Sequence, residues 1–285
     1  MAFYYATADR QDAEVLLAGV PLDRTSSFAP GTRFGPDMAR IGADNIESFS
    51  PYQRAEVTRV KVCDTGNLEF TFPDPDAPIR LIEEATRRCL AEGKRLVAIG
   101  GEHTITPPIV RELDRIHPGL CVVQFDAHSD LRDSFLGERV CHATAMRRVL
   151  DTIPRDRLFQ LGIRSFSSPE EMQAVNVFPF AVLDAVPKVL ESVAGRPVYI
   201  TLDLDVLDPA FLADVQTPQP GGCSYSELAR ALAAFAGMNV VGADVVEFCP
   251  RTIQPSAGAS AVAELVRELV LLVGLSPRGT AASRS

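Results

Sequence analysis

Asp126, His128 and Asp130 stand two residues apart in the run Cys121-Val-Val-Gln-Phe-Asp-Ala-His-Ser-Asp130. The first half of that run is apolar and β-branched and reads as a buried strand. Side chains at i, i+2 and i+4 of a strand share a face, so three metal-type donors are expected to converge just past its carboxyl end. A single aspartate there is commonly a turn former or a helix cap. Two carboxylates and an imidazole gathered without a partner are costly, and a bound cation removes that cost.

A second run repeats the device. Val198-Tyr-Ile-Thr-Leu-Asp-Leu-Asp-Val-Leu-Asp208 is an apolar strand ending in acids, with Asp203 and Asp205 on one face. A third strand, Arg95-Leu-Val-Ala-Ile, runs into Gly100-Gly-Glu-His103. The candidate ligands are therefore His103, Asp126, His128, Asp130, Asp203 and Asp205. Four carboxylates and two imidazoles exceed the needs of one tetrahedral zinc. They suit a carboxylate-bridged pair of divalent ions, roughly 3.5–4 Å apart in two-metal hydrolases. Oxygen-rich ligation with two imidazoles favours manganese.

The elements that must position these groups follow from the hydrophobic pattern. Strands are expected at 14–20, 59–63, 95–99, 121–125, 158–162, 198–207 and 239–248, with a further one at 177–181. Helices are expected from Pro36, over 79–92, 104–116, 142–150, 169–175, 227–236 (capped by Ser226) and 259–273. Strands alternating with helices imply a mostly parallel sheet with helices on both faces. The loop 21–34 is rich in Ser, Thr, Gly and Pro and follows a strand, where function often resides. Residues 70–78 read as a connector. His117, at a helix end before Pro118, reads as a solvated residue compatible with the helix dipole. No linker or repeat interrupts the pattern, so residues 1–273 read as one domain, with 274–285 a small, polar tail expected to be disordered.

The chain has 285 residues and a net charge of −9. That charge argues against a general nucleic-acid binder, which requires a basic surface. It is compatible with a cationic substrate. No apolar run approaches a membrane span, and the amino terminus lacks the basic and apolar regions of a secretory signal. Six cysteines are scattered without a C-x-x-C pair, which reads as buried free thiols in a reducing, cytoplasmic setting.

Taken together, the motifs resemble the ureohydrolases, the arginase and agmatinase family. The matching pieces are Gly100-Gly-Glu-His-Thr-Ile-Thr106, Phe125-Asp-Ala-His-Ser-Asp130, Thr201-Leu-Asp-Leu-Asp-Val-Leu-Asp-Pro-Ala210, Thr217-Pro-Gln-Pro-Gly-Gly222 and Pro30-Gly-Thr-Arg-Phe-Gly-Pro36. The resemblance implies a three-layer α/β/α fold, two Mn2+ per chain on the six ligands above, and a homo-oligomer, a trimer or hexamer. It implies hydrolysis of a guanidino group with release of urea, by attack of a metal-bridging hydroxide. Asp130 would hydrogen-bond that hydroxide as well as ligating metal. His142 corresponds to the family's proposed proton shuttle, and Glu247 to the acid that holds the guanidinium.

The stretch 131–148 and the run Ile46-Glu-Ser-Phe-Ser-Pro51 look like the agmatinase branch, which makes agmatine the favoured substrate, with putrescine and urea as products. Two departures bear on this. Glu102 stands where many relatives have Asp. Where relatives often read Pro-Gly-x-Gly-Thr-Pro-Glu-Pro-Gly-Gly, this chain reads Ala213-Asp-Val-Gln-Thr-Pro-Gln-Pro-Gly-Gly222. The lost Pro and Gly positions and Gln219 bear on the substrate-entrance loop, so guanidinobutyrate, guanidinopropionate, aminopropylagmatine and arginine are alternative substrates. A deacetylase-like amidohydrolase shares this general fold but uses a single zinc, and His103 with Asp203 and Asp205 argues against it. A regulatory paralogue would be expected to have lost ligands, and none of the six is missing.

Overall fold

The computed structural model describes residues 2–70, 74 and 76–277. In chain order the strands are β1 (Val15–Val20), β2 (Phe49–Ser50), β3 (Ala55–Glu56), β4 (Val62–Asn67), β5 (Arg95–Gly100), β6 (Cys121–Phe125), β7 (Leu158–Leu161), β8 (Val177–Phe178), β9 (Val198–Asp203) and β10 (Val240–Val246). The helices are α1 (Gly35–Gly42), α2 (Ala77–Ala91), α3 (Thr106–Asp114), α4 (Ala145–Val149), α5 (Pro169–Met172), α6 (Val186–Val193), α7 (Tyr225–Ala233) and α8 (Ala257–Gly274).

Eight strands form one sheet in the order β4-β1-β5-β10-β9-β6-β7-β8, and every pairing in it is parallel. β2 and β3 form a separate antiparallel pair that the sequence pattern did not signal. Alternation along each strand divides the core in two. Leu17, Val97 and Val123 pack with α1, α6, α7 and α8. Leu16, Leu96 and Val122 pack with α2, α3 and α4 on the other face. This is the three-layer α/β/α arrangement, with the strands buried on both faces as parallel sheets require. Among the described residues no helix is long and apolar enough to cross a membrane. All six cysteines are free.

Several boundaries differ from the sequence expectation. The second strand of the sheet runs Val62–Asn67, later than 59–63, because a 3-10 turn occupies Val57–Arg59. Ser224, not Ser226, caps α7: its hydroxyl accepts from the Glu227 amide, and Glu227 returns the bond in a capping box. His117 is half-buried, and burial, with Arg95 adding to it, lowers its pKa below the ordinary imidazole value. The expected tail begins inside α8, and the Arg95 guanidinium donates to the carbonyls of Val273, Ser276 and Pro277. Residues 278–285, and residues 71–73 and 75 of the connector 70–78, lie outside the described residues.

Candidate metal centre

One register row of the sheet is polar where its neighbours are apolar. Gln160 pairs with Gln124 between β7 and β6, Gln124 with Thr201 between β6 and β9, and Thr201 with Asp244 between β9 and β10. All four are fully buried. Buried polar groups persist only when hydrogen-bonded, and these bond to each other and upward to the chain ends above them. Gln160 Nε2 donates to Gln124 Oε1 at 2.6 Å, and Gln124 Nε2 to Asp126 Oδ2 at 2.6 Å. Asp244 accepts from Tyr199, Thr201 and Thr106 at 2.6–2.7 Å. His103 Nε2 lies 2.9 Å from Thr201 Oγ1.

The expected ligands sit directly past this row, and of the six only Asp203, the last residue of β9, lies on a strand. β6 ends at Phe125, and Asp130 turns the chain at φ 53. Asp205 and His103 each lie in a 3-10 turn, over Leu204–Val206 and His103–Ile105. Strand alternation therefore brings the runs together, while turns converge the side chains. The turn at 203–205 is closed by the Asp205 amide donating to Asp203 Oδ1 at 2.9 Å. Gly101 is required before His103, because a Cβ there would stand 1.9 Å from the Leu22 carbonyl oxygen.

All six ligand candidates come together. His103 Nδ1 lies 3.2 Å from Asp126 Oδ2, 3.1 Å from Asp130 Oδ2 and 3.2 Å from Asp203 Oδ2. His128 Nδ1 lies 2.9 Å from Asp205 Oδ2 and 3.6 Å from Asp126 Oδ1. Two donor groups result, His103–Asp126–Asp203 and Asp126–His128–Asp205, each with its ligand atoms within 4.8 Å of one another. Asp126 is common to both. His103 Nδ1 is buried and makes no aligned hydrogen bond despite its carboxylate neighbours. With Nε2 bonded to Thr201, an Nδ1 lone pair among carboxylate oxygens fits a bound cation. Two donor groups sharing one carboxylate fit a pair of divalent ions.

Electrostatics point the same way. Burial, then the charges of Asp205 and Asp126, push the Asp203 carboxyl well above the usual range. Burial and Asp126 push Asp130 up to about 6. Burial works against charge on His128, yet Asp205 and Asp126 outweigh it and raise the imidazole to about 12. Protons are held where a divalent cation would relieve the same repulsion.

His128, Asp130, Asp203 and Asp205 floor a cavity of about 180 Å³ whose walls include Ser27, Arg132, Phe135, His142, Thr217 and Glu247. His142 stands in the wall, with Nδ1 3.1 Å from Thr25 Oγ1 and Nε2 3.2 Å from Ser27 Oγ. Thr25 Oγ1 donates to Glu102 at 2.9 Å, so it accepts from His142 Nδ1–H and leaves Nε2 as an acceptor. Burial, reinforced by positive charge at His128, pushes this imidazole down to about 4. Glu247, at φ 68, accepts from the His103 amide at 2.7 Å and from Gln216 Nε2 at 2.8 Å. Burial pushes its carboxyl well above the glutamate range, which an arriving cation would reverse.

His142 and Glu247 thus line the same cavity as four of the six ligand candidates, His128, Asp130, Asp203 and Asp205. Glu102 does not line it. It is fully buried and anchors the loop above, accepting from the amides of Arg24 and Thr25 at 2.8 and 2.6 Å. Sequence reasoning missed Gln124, Gln160, Thr201, Asp244 and Gln216. The first four carried a signal, each being a polar residue within an otherwise apolar strand.

A family model described as the arginase family matches residues 13–272. An agmatinase of Bacillus anthracis is 37% identical over 267 residues, covering 92% of this chain and 92% of its own length. Among solved structures, the agmatine ureohydrolase of Thermoplasma volcanium matches with a TM-score of 0.84 at 29% identity, covering 95% of this chain and 94% of that one. The proclavaminate amidino hydrolase of Streptomyces clavuligerus matches with a TM-score of 0.87 at 28% identity, covering 96% and 97%.

Proposed function

We propose, from the premise that this chain belongs to the arginase family as an agmatinase-like ureohydrolase, that it hydrolyses agmatine to putrescine and urea. His103, Asp126, His128, Asp130, Asp203 and Asp205 would hold two divalent ions, manganese by the chemistry of the donors. The buried, encircled Nδ1 of His103 is the observation that carries this reading. Relatives named agmatinase and agmatine ureohydrolase support the substrate.

Bound there, the ions would lower the pKa of water enough to supply a nucleophile at neutral pH. The protein's own groups do the rest. Glu247 presents a desolvated carboxylate to the planar guanidinium, whose donors match it in pairs. Asp130, facing the cavity, would accept a hydrogen bond from the nucleophile and help pass its proton on. His142 rests neutral, with Nε2 free to take a proton from the Ser27 side and hand it on. The water oxygen joins the guanidino carbon, the carbon–nitrogen bond to the alkyl chain breaks, and both water protons leave on the amine, which departs as an ammonium. We include in this reading a cytoplasmic homo-oligomer, a trimer or hexamer, which sedimentation would check.

A second substrate has one observation in its favour. Arg132 lines the same cavity, its guanidinium 5.4 Å from the Phe135 ring centre. A cation there suits a carboxylate tail, as in guanidinobutyrate, better than the ammonium of agmatine.

Metal analysis tests the site. About two ions per chain are expected after loading, and Asp126→Ala or Asp203→Ala should lose metal and urea release together. Full activity in either variant would remove the two-metal assignment.

A further inference from the structure

Gln216 falls on a glycine position of the family pattern, yet its side chain is fully buried and turned into the protein. The loop carrying it is fixed on both sides. Val215 forms an antiparallel bridge with Phe248, and the Cys249 amide donates to the Asp214 carbonyl at 2.9 Å. From that position the carboxamide makes two bonds. Nε2 donates to Glu247 Oε2 at 2.8 Å, and Oε1 accepts from the Ser27 amide at 2.9 Å. Ser27 Oγ in turn touches His142 Nε2 at 3.2 Å.

Glu247 lines the cavity, whereas Gln216 does not. The carboxylate is therefore held from behind, with Oε1 on the His103 amide and Oε2 on Gln216. A carboxylate pinned at both oxygens cannot turn about its last torsion. Its plane, and the lone pairs left facing the cavity, are set before a planar cation arrives. A glycine at 216 would leave Oε2 free to turn and the Ser27 amide without its acceptor.

We infer that Gln216 is a positioning residue for the guanidinium head group, locking the Glu247 carboxylate plane and tying it to the Ser27 rim of the cavity. This rests on the reading of Glu247 as the guanidinium acceptor. The departure in the 213–219 loop is then a device acting on the head of the substrate, not on its tail.

The test is urea release by metal-loaded wild type, Gln216→Met and Gln216→Gly with agmatine and guanidinobutyrate. Gln216→Met keeps the bulk and removes both bonds, and Gln216→Gly restores the family residue. Each should raise KM about tenfold or more, as for loss of a bond to a charged group. The factor should be the same for both compounds, with kcat within about twofold and metal content unchanged. In a Glu247→Gln background the Gln216→Met change should add nothing. Unchanged KM in both variants, even with a lowered Tm, would reduce Gln216 to a structural role and overturn the inference. So would a change confined to one compound, which would place Gln216 at the tail, or a fall in kcat alone. If Glu247→Gln weakens KM while the Gln216 variants do not, the inference fails and the reading of Glu247 stands. If Glu247→Gln is silent, or wild type releases no urea from either compound, both fail.

Discussion

Thr201 donates its hydroxyl proton to Asp244 across 2.6 Å, and that bond decides which nitrogen of His103 carries hydrogen. With its proton committed, the Thr201 oxygen is an acceptor, so His103 Nε2 must donate to it across 2.9 Å. The lone pair is left on Nδ1, aimed at Asp126, Asp130 and Asp203. Carboxylate-to-imidazole relays of this kind orient metal-binding histidines and raise their basicity.

Thr201→Val keeps the shape and removes the relay. It should weaken metal binding in the His103 group by about 10- to 100-fold. Thr201→Ser should restore it. Metal titration with both variants checks this, and equal affinity for Val and wild type would remove the relay from the account.

Chelation should destabilise the fold. Four buried carboxylates repel one another without a cation, and ligand binding stabilises by mass action, about 2.7 kcal/mol at a hundred times Kd. Thermal unfolding should show a lower Tm after chelation and recovery with added manganese. An unchanged Tm on both would contradict the centre as drawn.

His142→Asn should keep its metal and lose about 100-fold or more in kcat. It should also flatten the acid limb of stability. An ordinary imidazole titrates near 6.5, and burial, with the charge at His128, pushes His142 down to about 4. The unfolded chain binds the proton first, so stability is intact above pH 6.5 and is lost as pH falls toward 4. The slope is on the order of 1.4 kcal/mol per pH unit. Denaturant titrations at pH 7, 6 and 5 would show the slope in wild type and a shallower one in the variant.

Arg40 and Asp64 form a buried ion pair at 2.8 Å, each side chain 1% exposed, joining α1 to β4. Burial alone would raise the Asp64 carboxyl, but the Arg40 bonds and charge outweigh it and hold it below the usual range. Arg40→Leu leaves that carboxylate buried without its partner and should cost about 3–5 kcal/mol. Chemical denaturation measures this, and a cost below about 1 kcal/mol would show that Asp64 finds other compensation.

Much of this was legible in the chain. The apolar runs ending in acids located β6 and β9 and five of the ligand candidates, and the run into Gly100-Gly-Glu-His103 located β5 and the sixth, because apolar β-branched runs are a strong signal for buried strands. It did not locate the turns that converge them, since Asp130 at φ 53 and the 3-10 turn at Leu204–Val206 answer to local hydrogen bonds rather than to hydrophobic pattern. Ser224 was passed over as a cap because Ser226, two residues on, has the same chemistry. The supporting row Gln160–Gln124–Thr201–Asp244 needed strand register, which no single strand contains. Gln216 read as a loss of glycine, and only its contacts with Glu247 and Ser27 show what the side chain does.

The most direct measurement is urea release by manganese-loaded protein from agmatine, arginine, guanidinobutyrate and aminopropylagmatine at matched concentration. The account predicts urea, with agmatine preferred. Preference for guanidinobutyrate would keep the chemistry and assign the tail to Arg132. No urea from any of the four would contradict the account.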